Sequence, residues 1–242
     1  MAGHSKWSNI KHRKGAKDKK RGKVFTKLIR EIIISARIGG GDPESNPRLR
    51  KAITNSKSNN MSQSKIDRAI KKGTGELEGT IYYEAVYEGF GPYGISVIIK
   101  VITDNKNRTV ANIRHLLTSF DGNLGDVGSV SWNFEKIAYL VISNKNKNRE
   151  KMFELAINSG AIDLYEENDL YKIIVKPRTL NETINIFKDN GYDVMSYQLD
   201  MIPKTYKKLE SKQAELAIKF LNKLDENDDV NKIYTNFISS EQ

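Results

Sequence analysis

The chain of 242 residues contains no cysteine and only three histidines. Without cysteine it can form no disulfide framework, and it offers neither a thiolate metal ligand nor a cysteine nucleophile. His4, His12 and His115 are too scattered for a histidine-based zinc site. The chain also lacks the run of about 18 apolar residues that a membrane-spanning helix requires. We therefore expect no metal site and no contact with a membrane.

Little in the sequence resembles an active site. The stretch "GFGPYG", residues 89–94, lies between two strand-like runs and opens no helix, so we interpret it as a hairpin turn and not as a phosphate-binding loop. The acidic stretch "DENDD", residues 225–229, lacks the spaced oxygen ligands of a calcium loop and is interpreted as a solvated turn. No nucleophile, base and orienting residue form a recognisable set. We expect no cofactor, no small-molecule substrate and no enzymatic activity.

The positive charge of the chain is concentrated in residues 1–30. This segment holds eleven Lys or Arg against the single Asp18, a net charge of +10, which equals the net charge of the whole chain. The remainder is balanced, with 29 basic and 29 acidic residues. Such asymmetry favours a polyanionic partner. Residues 11–23 contain no large apolar side chain that could insert into lipid, so nucleic acid is the favoured partner.

We predict that nucleic acid is contacted by this basic segment and by two helices that follow it. Trp7 could stack on an exposed base, although packing on the helices is an equal alternative. In the second of these helices, four cations share one face, and the alternative for each is a merely solvated helix surface. The candidates are Lys6, Trp7, Lys11, Arg13, Lys14, Lys17, Lys19, Lys20, Arg21, Lys23, Lys27, Arg48, Arg50, Lys51, Lys65, Arg68, Lys71 and Lys72.

Hydrophobic periodicity predicts helices in the first 80 residues. An apolar stripe at three-and-four spacing covers residues 24–37, and a Gly-rich loop at 39–47 separates it from a second helix that starts at Pro47. A third helix follows from Ser62 or Ser64, and Gly73 is predicted to end it. We expect a basic helical domain over residues 1–80.

From residue 81 the pattern predicts strands and helices in alternation. A hairpin comes first, and Asp104, Asn105 or Asn107 then caps a helix. Residues 137–202 show the ferredoxin-like order β-α-β-β-α-β, which leaves a helix at 207–223 and a strand at 230–238 to complete the preceding set. The predicted fold class is α+β with three domains, an N-terminal helical domain and two ferredoxin-like α/β domains. The domains are 1–80, 81–134 plus 204–242, and 135–203, the last inserted into the middle one.

Several stretches resemble the YebC/PmpR family, and the resemblance extends from Met1 to about Phe237. It implies the same three-domain arrangement, with Met1 at the start of the mature domain instead of a transit peptide, and we expect a cytoplasmic protein. Tyr93 departs from the family, which usually has Gly there. The stretches are "MAGHSKWSNIKHRKGAKDKKRGKVFTKLIREI", "IDRAIKKGTGE", "TDNKNRTVANIRH", "GNLGDVGSVSW" and "DDVNKIYTNF".

The resemblance implies a non-enzymatic, nucleic-acid-binding regulator of gene expression. Members of the YebC/PmpR family are usually described as DNA-binding transcriptional regulators, which implies duplex DNA as the partner. A mitochondrial branch, the translational activator of cytochrome c oxidase subunit I, and bacterial members act on translation. The alternative is therefore a ribosome-associated translation factor that binds structured RNA, either rRNA or tRNA, and a nuclease is a distant third.

Overall fold

The computed structural model describes residues 17–143, 148–167 and 169–239, with side chains from residue 22 onward. Helices and mostly antiparallel sheets alternate along these residues, which confirms the α+β class. The helices are α1 (Lys17–Gly39), α2 (Pro47–Ser58), α3 (Gln63–Thr74), α4 (Lys106–Thr118), α5 (Arg149–Asn158), α6 (Leu180–Asp189) and α7 (Ser211–Asp225). The strands are β1 (Tyr83–Phe90), β2 (Ser96–Thr103), β3 (Asn123–Gly125), β4 (Phe134–Ser143), β5 (Asp163–Glu167), β6 (Leu170–Val175), β7 (Val194–Pro203), β8 (Lys207–Leu209), β9 (Val230–Thr235) and β10 (Phe237–Ser239).

The chain divides into two compact units. The larger unit comprises the described residues of 1–132 and 205–242, and the smaller unit comprises Asn133–Lys204. Helices α1 to α3 belong to the larger unit together with a four-stranded sheet. The finer division into three domains stays a prediction.

Helices α1, α2 and α3 pack around a common apolar cluster. The stripe predicted on α1 supplies Ile32, Ile33 and Ala36, which are all buried. Asn46 caps α2, because its Oδ1 accepts from Leu49 N while its Nδ2 donates to the main-chain oxygens of Ser35 and Gly40. One side chain thus closes the loop between α1 and α2. The buried residues that α2, α3 and their connection add to the cluster are Leu49, Ala52, Met61, Ile66 and Ala69.

The end of α3 differs from the sequence prediction. Gly73 lies inside the helix, and Gly75 forms the C-cap with a φ of 85°, in the left-handed region that favours glycine. Gly73 has a packing role instead. A Cβ at this position would lie 2.5 Å from the main-chain oxygen of Ile33 and 2.7 Å from Cβ of Ala36. The missing side chain therefore allows α3 to approach the backbone of α1.

The sheet of the larger unit has the strand order β3-β1-β2-β9, and all its neighbours are antiparallel. The predicted hairpin is confirmed, with Tyr83 opposite Thr103 and Phe90 opposite Ser96. Helices α4 and α7 pack on one face over a core that includes Val97, Ile99 and Val101, and α1 contacts β2 and β9. No α-helix separates β1 from β2 in this sheet. Its described elements therefore do not follow the ferredoxin-like order β-α-β-β-α-β that was predicted for the middle domain.

Two element boundaries in the larger unit also differ. The predicted strand at 230–238 is divided into β9 and β10 at Asn236. The side chain of this residue accepts a hydrogen bond at Oδ1 from Ser96 N at 2.8 Å. The predicted helix at 207–223 begins only at Ser211, since 207–209 form β8, which pairs in parallel with β10.

The smaller unit has the element order β4-α5-β5-β6-α6-β7 and the strand order β5-β6-β4-β7. This is the β-α-β-β-α-β sequence predicted for the segment. Its core joins Leu140, Ile142 and Ile173 of the sheet to Met152 of α5 and Phe187 of α6. The described helices of both units include none that is long and apolar enough to cross a membrane.

The close approach at Gly73 predicts opposite effects of alanine at two helical glycines. Gly73→Ala should lower the free energy of unfolding by about 1–3 kcal/mol, the usual cost of overpacking a well-packed contact. Gly22→Ala is the matched control, because a Cβ there meets nothing within 4 Å. It should stabilise the protein by about 0.5–1 kcal/mol, since alanine favours a helix interior over glycine. Denaturant unfolding followed by circular dichroism measures both, and equal stability of the two variants would contradict the packing role.

Candidate nucleic-acid interface

The structure describes the side chains of about half of the predicted binding residues. Lys6, Trp7, Lys11, Arg13 and Lys14 lie outside the described residues. The next four lie on the first turns of α1, with only their backbone described. The others are placed in full and differ in whether an acidic or aromatic partner engages them. The four are Lys17, Lys19, Lys20 and Arg21.

Lys23 and Lys27 contact the C-terminal end of α7. Lys23 Nζ donates to the main-chain oxygen of Glu226 at 2.8 Å. Lys27 Nζ donates to the main-chain oxygen of Asp225 at 2.5 Å and to its Oδ1 at 3.1 Å. The last carbonyls of a helix lack helical partners and carry a partial negative charge, which attracts cations. Both lysines therefore help to fix α1 against α7.

One turn further along α1, Arg30 binds the buried carboxylate of Asp229. Arg30 Nη1 lies 2.6 Å from Asp229 Oδ1 and donates to the main-chain oxygen of Asp228 at 2.7 Å. On the other side of the carboxylate, Thr109 Oγ1 donates to Oδ2 at 2.6 Å and Arg108 Nη2 at 3.1 Å. Only 5% of Asp229 is exposed. The carboxylate thus joins α1, α4 and the turn that precedes β9.

The environment of Asp229 favours its charged form. Burial acts to raise the pKa of this carboxyl group, but the hydrogen bonds from Thr109, Arg30 and Arg108 outweigh it and lower the pKa below the ordinary 3.8. The interpretation of residues 225–229 as a solvated turn is therefore wrong for Asp229. Its acidic side chain is a buried anchor for two arginines.

Arg48 is also engaged within the protein. Its Nε lies 2.8 Å from Glu31 Oε1, and Nη1 and Nη2 bind the two carboxylate oxygens of Glu84 at 3.1 and 2.6 Å. Two carboxylates thus surround this guanidinium, and it links α1, α2 and β1. Glu31 also accepts from Asn231 Nδ2 at 2.9 Å, which extends the network to β9.

Arg50 of α2 and Lys65 of α3 have weaker partners. Arg50 Nη1 donates to the main-chain oxygens of Pro43 and Glu44 at 3.1 and 3.2 Å. Lys65 Nζ lies 5.6 Å from the centroid of the Phe25 ring. Lys51 is exposed on α2. These contacts leave the positive charge of Arg50 and Lys65 without a carboxylate partner among the described ion pairs.

Arg68, Lys71 and Lys72, named here the α3 cluster, differ from the residues above. None of the three forms an ion pair within residues 22–143, 148–167 and 169–239. Arg68 and Lys71 are exposed and Lys72 is half-buried. The nearby carboxylate of Asp67 accepts instead from Gln63 Nε2 at 2.7 Å. The α3 cluster therefore comprises two exposed cations and one half-buried cation, none of which is held in an ion pair among the described residues.

Comparison with known proteins identifies the family. A model of the TACO1/YebC N-terminal domain matches residues 5–76, and a model of the TACO1/YebC second and third domain matches residues 82–237. The chain belongs to the TACO1/YebC family. The resemblance seen in its motifs is thereby confirmed.

Relatives of this TACO1/YebC chain are similar over almost their whole length. A probable transcriptional regulatory protein of Geobacter sulfurreducens is 48% identical over 243 residues, covering 100% of this chain and 98% of the relative. One from Thermotoga maritima, with the same description, is 48% identical over 238 residues, covering 98% and 94%. The crystal structure of a conserved hypothetical protein from Aquifex aeolicus has a TM-score of 0.78 at 41% identity, covering 96% of each chain.

Sequence reasoning did not single out Arg30 and Asp229 as a pair. They are 199 residues apart, and each looks like one more charge within a charged run. One local signal is that Asp229 directly precedes Val230, the buried first residue of β9. A carboxylate next to a buried strand is itself prone to burial, and a buried carboxylate needs a partner.

Removal of the Asp229 charge tests its role as an anchor. Asp229→Asn leaves Arg30 beside a neutral amide, and we expect the free energy of unfolding to fall by about 3–5 kcal/mol, as when one partner of a buried ion pair is removed. Asp228→Asn is the control, because this neighbour is exposed and Arg30 binds only its main-chain oxygen. It should change stability by no more than about 0.5 kcal/mol. Urea unfolding compares them, and a similar loss in both variants would rule out the anchor.

The lowered pKa of Asp229 also predicts a dependence on pH. The native state holds this carboxyl group deprotonated at a pH where the unfolded state, with its ordinary pKa of 3.8, already binds a proton. Its contribution to stability should therefore be complete above about pH 5 and decline as the pH falls below about 4. Urea unfolding at a series of pH values should show the difference between wild type and Asp229→Asn shrinking on acidification. A difference that grows in acid would contradict the assignment.

Proposed function

We propose that this TACO1/YebC protein is a non-enzymatic regulator of gene expression that acts by binding nucleic acid, with duplex DNA as its partner. The observation that carries the proposal is the α3 cluster, which forms no ion pair among the described residues. It lies in the same unit as a segment, residues 1–30, whose net charge equals that of the whole chain. Phosphate oxygens are the groups that such a surface binds. The names of the relatives, probable transcriptional regulatory proteins, support DNA and a cytoplasmic site of action.

The predicted residues have different roles in this proposal. Arg68, Lys71 and Lys72 contact phosphates, together with the cations of the segment that precedes Gly22. Arg50, Lys51 and Lys65 extend this surface along α2 and the start of α3.

Lys23, Lys27 and Arg48 stabilise the fold that carries the surface, because acidic groups or helix-terminal carbonyls already engage them. Moving any of these three cations to a phosphate would leave its carboxylate or carbonyl partner unsatisfied. That cost makes them supporting residues in the proposal.

Charge reversal on α3 tests the proposed surface. Arg68→Glu with Lys72→Glu should weaken binding of a DNA duplex about tenfold or more and reduce the magnitude of the slope of log affinity against log salt by about two, since two phosphate contacts are lost. Fluorescence anisotropy with a labelled duplex over a range of salt concentrations measures both quantities.

A second double variant separates the surface from net charge. Lys212→Glu with Lys219→Glu makes the same change in charge at exposed positions of α7, in the same unit. We expect a smaller loss of affinity and an unchanged salt slope. Equal losses in both double variants would show that only overall charge matters, and tighter binding of a structured RNA than of the duplex would assign the surface to RNA.

A further inference from the structure

An exposed tyrosine at the start of β1 contacts two cations that come from other elements. Cζ of Arg37, near the end of α1, lies 5.5 Å from the centroid of the Tyr83 ring. Nζ of Lys106, the first residue of α4, lies 5.5 Å from the same centroid. Arg37 Nη1 also donates to the main-chain oxygen of Tyr82 at 2.9 Å. One aromatic ring thus brings together two positive charges that are distant in the sequence.

The acidic residues that are close to this ring in the sequence are engaged elsewhere. Asp104 Oδ1 binds Arg108 Nη2 at 2.6 Å, and Glu84 belongs to the carboxylate network of α1, α2 and β1 described above. In the part of the chain whose side chains are described, neither Arg37 nor Lys106 forms an ion pair. Both side chains are exposed. They are therefore accessible to an anion from outside the protein.

The position of Lys106 is unfavourable for a cation. The N-terminus of a helix carries a partial positive charge and favours acidic side chains. The first turn of α4 contains no acidic residue and begins with Lys106. The charge of Arg37 beside the same ring adds repulsion between like charges. An anion bound by these two cations would relieve both effects.

Arg37 also lies next to the α3 cluster. A Cβ on Gly73, the residue after Lys72, would lie 3.3 Å from Arg37 N. Lys72 and Arg37 line the same cleft of about 540 Å³, which lies between α1, α3 and the connection that follows α3. Glu78 of that connection supplies a negative charge to the lining. The contacts thus lead from the α3 cluster to Arg37 and, across the Tyr83 ring, to Lys106.

We propose that Arg37 and Lys106, oriented by the ring of Tyr83, bind one phosphate of the duplex that the α3 cluster contacts. The inference rests on the proposed function and adds a phosphate site that the sequence did not single out. The bond to the Tyr82 main chain uses a single N–H of Arg37, so other guanidinium donors remain for phosphate oxygens. Because the ring already restricts both long side chains, less conformational freedom is lost on binding.

Neutral substitution of both cations tests the phosphate site. In Arg37→Gln with Lys106→Gln, the glutamine at position 37 can still donate to the main chain. The magnitude of the slope of log affinity against log salt should fall by about 0.9, as for the loss of one neutralised phosphate. The affinity for a duplex at about 0.1 M salt should fall roughly eightfold for the same reason. Fluorescence anisotropy measures both quantities, and circular dichroism verifies the fold.

Two controls separate this site from net charge and from packing. Lys212→Gln with Lys219→Gln makes the same change in charge at exposed positions of α7, and it should leave the salt slope unchanged. Tyr83→Phe keeps the ring and should bind as wild type does. Tyr83→Ala removes the ring and should weaken binding, because the two cations are no longer preoriented.

The single variants test whether both cations share one phosphate. Residues that act on the same ligand are not independent. The fold-losses of Arg37→Gln and Lys106→Gln should therefore multiply to more than the loss in the double variant. Losses that multiply to the loss in the double variant would mean two separate phosphates and would contradict the shared site.

A free phosphate ion has the same chemistry as a phosphate of DNA, and a competition experiment distinguishes them. Replacement of chloride by inorganic phosphate at constant ionic strength should weaken duplex binding equally in wild type and in the double variant of Arg37 and Lys106. A larger effect on wild type would assign the site to the free ion and overturn the proposal.

The outcomes also separate this site from the proposed function. If wild type binds the duplex but the double variant changes the salt slope no more than the α7 control does, the site is wrong and the proposed function stands. If wild type does not bind the duplex, the proposed function itself fails.

Discussion

The arrangement of the larger unit depends on the buried carboxylate of Asp229. A charge that is removed from water must be paired and hydrogen-bonded. Asp229 meets this requirement through groups from other elements, Arg30 of α1, Thr103 of β2, and Arg108 and Thr109 of α4. These bonds help to fix the orientation of α1 on the sheet. Because α3 packs on α1 through the space left by Gly73, the position of the α3 cluster follows from the same anchor.

The elements that the sequence predicted are those with local signals. The apolar stripe of α1, Pro47 at the start of α2 and the Gly/Pro turn between β1 and β2 each need only a few neighbouring residues to be recognised. The end of α3 could not be placed in this way. Gly73 and Gly75 both fit a helix terminus, and the choice depends on the backbone of Ile33, which sequence spacing does not reveal.

The sequence predicted the positive charge of the candidate site, but it did not predict which basic residues remain available to a ligand. Formal positive charge is visible in a sequence, but the charge that remains available to a ligand depends on partners that are distant in the chain. Arg48 meets Glu84 across 36 residues, and Lys27 meets Asp225 across 198. Arg68 has an identical formal charge and no such partner in the part of the chain that the structure describes. Only the folded arrangement distinguishes these cases.

The pairing of β9 with β2 has a consequence for biosynthesis. All strands of the smaller unit lie within residues 134–203. The second edge of β2, in contrast, is covered only after β9, residues Val230–Thr235, has been synthesised. The chain emerges from the ribosome with its N-terminus first. The smaller unit can therefore complete its sheet while β2 still presents unpaired main-chain groups. The unit whose synthesis begins first is thus the last to be completed. In the nascent chain, the open edge of β2 is therefore a template on which another strand can pair, as in aggregation.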